Sequence, residues 1–146
     1  MNSRTLTLAL LKPDIVAVHG ADCIRRIQDH ITASGLAIRH RTSMQWTLQD
    51  AETFYIQHKG LFFYDRLCRF MASGPFQAMI LHHETDAISQ WRSLIGRTQP
   101  IHARRAAPAS LRALYGITDT RNAFHGSDSP DSVRRESRFF FPDLKL

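Results

Sequence analysis

Residues Thr5 to Leu11 set the first limit on the fold. Leu6, Leu8 and Leu10 alternate with Thr5, Thr7 and Ala9 before Leu11 adds a further apolar side chain, the pattern of a strand buried in the middle of a sheet. Lys12 stands at its end, and Pro13-Asp14 breaks the strand, so the ammonium can project into a cleft at the strand's edge. A lysine there is ordinarily just solvated. What it does depends on its company.

The period then changes. From Asp22, Ile24, Ile27 and Ile31 recur at helical spacing, with Arg25, Arg26 and Asp29 on the other side, until Gly35 stops the helix. Leu36, Ile38, His40, Thr42 and Met44 alternate with Ala37, Arg39, Arg41 and Ser43, which predicts a strand with one basic face. Thr47 with Asp50 marks a helix start ahead of Phe54, Tyr55 and His58. A second helix runs through Phe62, Phe63, Leu67, Phe70 and Met71 to Ser73-Gly74-Pro75. Phe76 to His83 reads as a third strand, and Thr85 or Asp86 can cap a helix carrying Ile88, Trp91, Leu94 and Ile95 that Gly96 ends. Arg92 points to a different side from Trp91. Residues 97–116 are the least regular part, and a loop of that length is ordinarily functional or disordered. Asn122 to His125 forms a short strand, after which Ser129 caps a final helix with Pro130 in its first turn and Val133 and Phe140 facing inward. This order predicts one domain over residues 1–146, an α+β chain with a ferredoxin-like βαββαβ antiparallel sheet and helices on one face.

Composition narrows the setting. A chain of 146 residues with 43% hydrophobic and 22% charged residues can bury a core. No stretch approaches the roughly 20 apolar residues of a membrane helix, so we expect no membrane partner. The start, Met1-Asn2-Ser3-Arg4-Thr5, enters a strand at once and leaves no room for a secretory signal. A cytoplasmic protein is the expectation, with a mitochondrial location as the alternative. Cys23 and Cys68 fall within apolar helical patterns and make no metal motif, as core-packed thiols would. The net charge of +6 suits polyanions. It also suits an ordinary solvated surface.

Chemistry concentrates between Arg121 and Ser129. Gly126 permits a tight turn beside His125, and Ser127 and Asp128 place hydroxyl and carboxylate oxygens near the ring. A neutral imidazole nitrogen attacks phosphorus well when its other nitrogen is held, and Glu136 can do the holding. Taken alone, the string reads equally as a turn histidine beside a helix cap.

Its context decides more. The run from Asn122 to Ser129, with its His-Gly-Ser-Asp-Ser core, resembles the active-site signature of nucleoside diphosphate kinases. Thr5 to Asp14, with Leu11-Lys12-Pro13-Asp14, resembles that family's first strand and phosphate lysine. Phe62-Phe63, Met71-Ala72-Ser73-Gly74-Pro75, Trp91-Arg92 and Thr98 fall between them in the family's order. The resemblance covers essentially the whole chain. Phe62-Phe63-Tyr64, Thr118 to Asn122 and Phe140-Phe141-Pro142-Asp143 look most like the divergent type 6 branch.

The resemblance implies ping-pong transfer of a terminal phosphoryl group from a nucleoside triphosphate to a nucleoside diphosphate through His125. It implies Glu136 on the other ring nitrogen, Ser127 and Tyr55 near the histidine, and Lys12, Arg92, Thr98 and Arg112 on the phosphates. Phe62 would stack on the base with Phe63 in the core, and Asn122 would contact the sugar. Mg²⁺ would bridge phosphate oxygens through water-mediated contacts, helped by Asp128, with no dedicated metal cage. A homo-oligomer is also implied, although the family's hexamer depends on the loop that differs here. Ala113 follows Arg112 where the family usually has glycine, the stretch from Thr98 to Arg112 is longer than usual, and the segment before Phe62 is slightly shorter. These departures keep a second function open: a weakly active or inactive nucleotide- or partner-binding module that retains the fold. Nucleic-acid binding is a third, less favoured reading, and it would show as affinity falling steeply with salt.

Overall fold

The computed structural model describes residues 3–96, 99–118 and 122–146. The buried strand is β1 (Leu6–Leu11), and it is followed by α1 (Pro13–His19), α2 (Ala21–Ala33) and β2 (Ala37–Met44). Next come α3 (Leu48–Phe54), a 3₁₀ turn (Ile56–His58), α4 (Tyr64–Met71) and β3 (Phe76–His82). The chain closes with α5 (Ala87–Ile95), α6 (Pro100–Ala106), α7 (Leu111–Tyr115), β4 (Phe124–Gly126) and α8 (Pro130–Ser137). The strands form one antiparallel sheet in the order β2-β3-β1-β4. The ferredoxin-like plan expected from the sequence is the one observed.

Alternation in β1 and β3 divides the core into two layers. Ala9, Leu11, Met79 and Leu81 pack with Ile27 and Ile31 of α2 and Trp91 and Ile95 of α5. Leu8, Leu10, Ala78 and Ile80 face the other way, onto Phe54 of α3, Leu67 and Met71 of α4, and Phe140. The expectation of helices on one face therefore holds for α2 and α5 and is corrected by α3 and α4. The reason is energetic: each large apolar side chain left in water forfeits about 1.5–3 kcal/mol, and both strands are apolar on both faces.

Local signals explain most of the boundaries. Thr47 and Asp50 complete a reciprocal capping box at α3. Asp86 caps α5 by accepting from the Ser89 N–H at 2.9 Å, and Gly96 ends that helix at φ 82°. Ser129 caps α8 by accepting from the Ser132 N–H at 3.1 Å, and Pro130 opens the helix. Cys23 and Cys68 are buried free thiols.

Four readings need correcting. Pro13 does more than break β1; it starts α1, because proline is tolerated at the first helical position. Residues 97–116 contain α6, which also opens on a proline, and α7. The apparent single basic face of β2 is interrupted at Arg39, where the register shifts between Ile38 and His40. That bulge lets Ile38 pack with one core layer and Met44 with the other, which uninterrupted alternation forbids. Helix α4 starts at Tyr64 and leaves Phe62 in the preceding turn. Among the described residues no helix is long and apolar enough to cross a membrane.

Candidate active site

β4 is short, but its pairing with β1 fixes the site. Leu10 lies opposite His125 and Leu11 opposite Phe124, and the Lys12 N–H donates to the Ala123 carbonyl at 2.7 Å. Ala123 has φ 75°, a conformation rare for a residue with a side chain, and it follows Asn122 directly. The result joins the two ends of the chain: Lys12 Nζ donates to Asn122 Oδ1 at 2.9 Å. Gly126 is required by close packing. A Cβ there would stand 2.8 Å from Cδ1 of Trp91 and 3.3 Å from Cγ of Arg92. Trp91 Nε1 donates to the His125 carbonyl and an Arg92 guanidinium N–H to the Gly126 carbonyl, each at 3.0 Å. Gly126→Ala should therefore cost about 1–3 kcal/mol of stability by overpacking. Urea unfolding reads this directly, and an unchanged midpoint would contradict the packing described.

α8 returns Glu136 to the histidine. His125 Nε2 and Glu136 Oε1 are 2.6 Å apart, and the Ser127 hydroxyl donates to the same oxygen at 3.0 Å. Glu136 and Ser127 are buried, while His125 is partly open to the cavity. No hydrogen bond engages His125 Nδ1 among the described residues. Phe54 meets the ring edge-on at 5.6 Å between centroids and Tyr55 at 6.2 Å. The imidazole is clamped by one nitrogen and two aromatic walls. Ser127 thus reaches the carboxylate, and it does not line the cavity.

The cavity has a volume of about 660 Å³, and its wall includes Lys12, Tyr55, Phe62, Arg92, Arg112, Asn122, His125 and Glu136. These are the expected site residues apart from Ser127, which stands behind Glu136, and Thr98, which lies outside the described residues. The lengthened segment leaves Arg112 in the wall. Its guanidinium is tied down, however, donating to the Gly96 carbonyl at 2.8 Å and the Phe124 carbonyl at 2.9 Å. Phe62 is 88% exposed, whereas Phe63 packs against the core.

Electrostatics follow from burial. Desolvation, then the nearby Arg112 charge, pulls the Lys12 ammonium down to about 7, with Asp14 opposing. Burial, then Arg92, lowers the Arg112 guanidinium to about 10. The Tyr55 phenol is pushed up by burial and then by Glu136, and its hydroxyl has no hydrogen-bond partner among the described residues. Asp128 is held below the usual carboxylate range by the Ser132 hydroxyl, which donates at 2.7 Å. An anion entering this cavity meets cations whose charge the protein leaves poorly solvated, which strengthens their pull.

Sequence reasoning missed further lining residues: Arg66, His102 and Arg135. Arg66 had a signal, since it follows Phe62 by one helical turn. His102 had none, because α6 was read as loop. Arg135 donates to Gln57 Oε1 at 3.3 Å across 78 positions, a contact that the sequence does not reveal.

An oriented histidine, a lysine and arginines line one cavity, a setting that suits an anionic ligand. The family model described as nucleoside diphosphate kinase matches residues 5–146. Nucleoside diphosphate kinase 6 of Xenopus tropicalis is 49% identical over 141 residues, covering 95% of this chain and 76% of that protein. The human protein of the same name is 48% identical over 139 residues, covering 95% and 73%. A crystal structure of the Aquifex aeolicus nucleoside diphosphate kinase superposes with a TM-score of 0.89 at 36% identity, covering 97% of this chain and 98% of that one. The chain belongs to the nucleoside diphosphate kinase family. Within it, the likeness is to the type 6 branch, as the sequence motifs implied.

Holding the ring is testable separately from the ring itself. Glu136→Gln keeps an acceptor but loses the charge, and its amide N–H₂ can turn toward Nε2. We expect phosphoryl transfer to fall about 10- to 100-fold with nucleotide KM little changed. Steady-state kinetics check this, and an unaffected rate would remove Glu136 from the account.

Proposed function

We propose that the chain is a nucleoside diphosphate kinase working through a phosphohistidine at His125. The observation that carries this is the 2.6 Å contact of His125 Nε2 with Glu136, which supports attack by the other ring nitrogen, Nδ1. Nε2 keeps its proton toward the carboxylate, and the Nδ1 lone pair attacks the terminal phosphorus of a nucleoside triphosphate. The bond to the bridging oxygen breaks, and its electron pair leaves with the nucleoside diphosphate. Glu136 offsets the positive charge that the phosphorylated ring acquires. In the return half, a terminal oxygen of a second nucleoside diphosphate attacks the phosphorus and Nδ1 departs with its electron pair. Lys12, Arg92 and Arg112 offset charge on the phosphate oxygens, with Thr98 as a further phosphate contact. Asn122 holds Lys12 through its amide oxygen, and its amide nitrogen serves the sugar. Phe62 offers its ring to the base.

Mg²⁺ fits this wall as a passenger on the nucleotide. Among the described residues no group of three His, Cys, Asp or Glu side chains could hold a metal ion, while Asp128 lines the cavity as an exposed carboxylate. An ion that keeps several waters needs only such a contact, and when bound it supplies charge neutralisation on the phosphates.

A second reading has one observation in its favour. Arg112 donates to two backbone carbonyls, so the same fold would serve a nucleotide-binding or partner-binding module with weak turnover. Terminally labelled ATP with Mg²⁺ separates the two. Label that becomes protein-bound, acid-labile and transferable to a nucleoside diphosphate supports the kinase. Nucleotide binding without uptake of label supports the module.

A further inference from the structure

The phosphate set gathers near His125, and it leaves Arg66 with a different place in the cavity. Arg66 is an exposed residue in the first turn of α4, Phe62 lies in the turn that leads into that helix, and both line the same cavity. Phe62 presents 88% of its surface, and Arg66 lines the same cavity from α4.

We propose that Arg66 is a specificity-determining residue for the base, and that the slot bounded by Phe62 and Arg66 favours guanine over adenine and cytosine. The inference rests on the nucleotide reading of this cavity. Stacking on Phe62 tolerates every base, because each has a π face. Arg66 does not share that tolerance. Its guanidinium carries only donors, is permanently charged, and is shaped as a planar fork. Guanine shows two acceptors, O6 and N7, along one edge, whereas adenine places an amino donor beside N7 and cytosine an amino donor at its equivalent edge. In this assignment a base stacked on Phe62 lies with that edge toward Arg66. An arginine there gains two bonds from guanine and meets a donor in the other two bases.

The test is calorimetric titration of the intact chain with GDP, ADP, CDP and pyrophosphate, comparing wild type with Arg66→Met and Arg66→Lys. Methionine keeps the apolar stem and helix preference, and lysine keeps the charge without the fork. The expected result is GDP binding about 10-fold tighter than ADP and CDP. That preference should disappear in both variants while pyrophosphate affinity stays unchanged. Equal affinities for the three diphosphates in wild type overturn the proposal. So does a uniform weakening that includes pyrophosphate, which would make Arg66 a phosphate ligand. If neither nucleotide nor pyrophosphate binds the wild type, the nucleotide reading itself fails, and this inference goes with it.

Discussion

His125→Ala takes up no label from the triphosphate, and phosphoryl exchange falls by about 10⁴-fold or more, as loss of a nucleophile does elsewhere. Nucleotide affinity should change only a few-fold, because Lys12, Arg92, Arg112 and Phe62 reach the cavity from other elements. The mutation also has a structural cost. Glu136 is 5% exposed, and losing the imidazole leaves Oε1 with the Ser127 hydroxyl as its remaining donor. A buried charged acceptor stripped of a partner costs about 1–3 kcal/mol, so the variant should melt earlier than wild type. Exchange assays, calorimetry and thermal unfolding read the three effects independently. Retained exchange in the alanine variant would place the chemistry elsewhere.

Lys12→Met should move activity and stability in opposite directions. Transfer falls about 10²- to 10³-fold, the scale for removing one aligned charge from a transition state. Stability near neutral pH rises, because the native state holds Lys12 buried beside Arg112, with its pKa lowered from 10.5 to about 7. The sign follows from proton counting. Between about 7 and 10.5 the unfolded chain keeps the lysine proton and the native chain has released it, so wild-type stability rises with pH across that window. Below about 7 the penalty is fully present. The slope contributed by this group is at most about 1.4 kcal/mol per pH unit, and the variant lacks it. Urea unfolding of both proteins at several pH values should therefore show a stabilised variant whose advantage shrinks as pH rises. A pH-independent difference would mean that Lys12 is charged throughout.

How much of this was legible in the sequence depended on how local each signal was. The cap at Ser129 with Pro130, the capping box at Thr47 and Asp50, and the stop at Gly96 are short-range chemistry, and they could be read directly. The apolar pattern of β1 and β3 was equally plain, but it did not say which elements would cover the second face. Two helices were missed: Pro13, read as a strand breaker, and Pro100, in a stretch read as loop, each open a helix. The bulge at Arg39 leaves the residue pattern intact while reversing which face its neighbours meet. In the site, the histidine and its glycine turn could be found locally. The Lys12–Asn122 bond spans 110 positions, and only the family resemblance anticipated that those residues share one cavity. Even that resemblance did not foresee Arg112 bonded to the carbonyls of Gly96 and Phe124, or Ser127 turned to Glu136, because both depend on how the chain closes around the site.

The central claim is that His125 carries the phosphoryl group on Nδ1 while Glu136 occupies Nε2. Phosphorus and nitrogen NMR of the protein after exposure to ATP and Mg²⁺ tests it most directly, because the two isomers of phosphohistidine differ in which ring nitrogen couples to phosphorus. The account predicts coupling to Nδ1 of His125, discharged by adding a nucleoside diphosphate. Phosphate on Nε2, on another residue, or nowhere would contradict it.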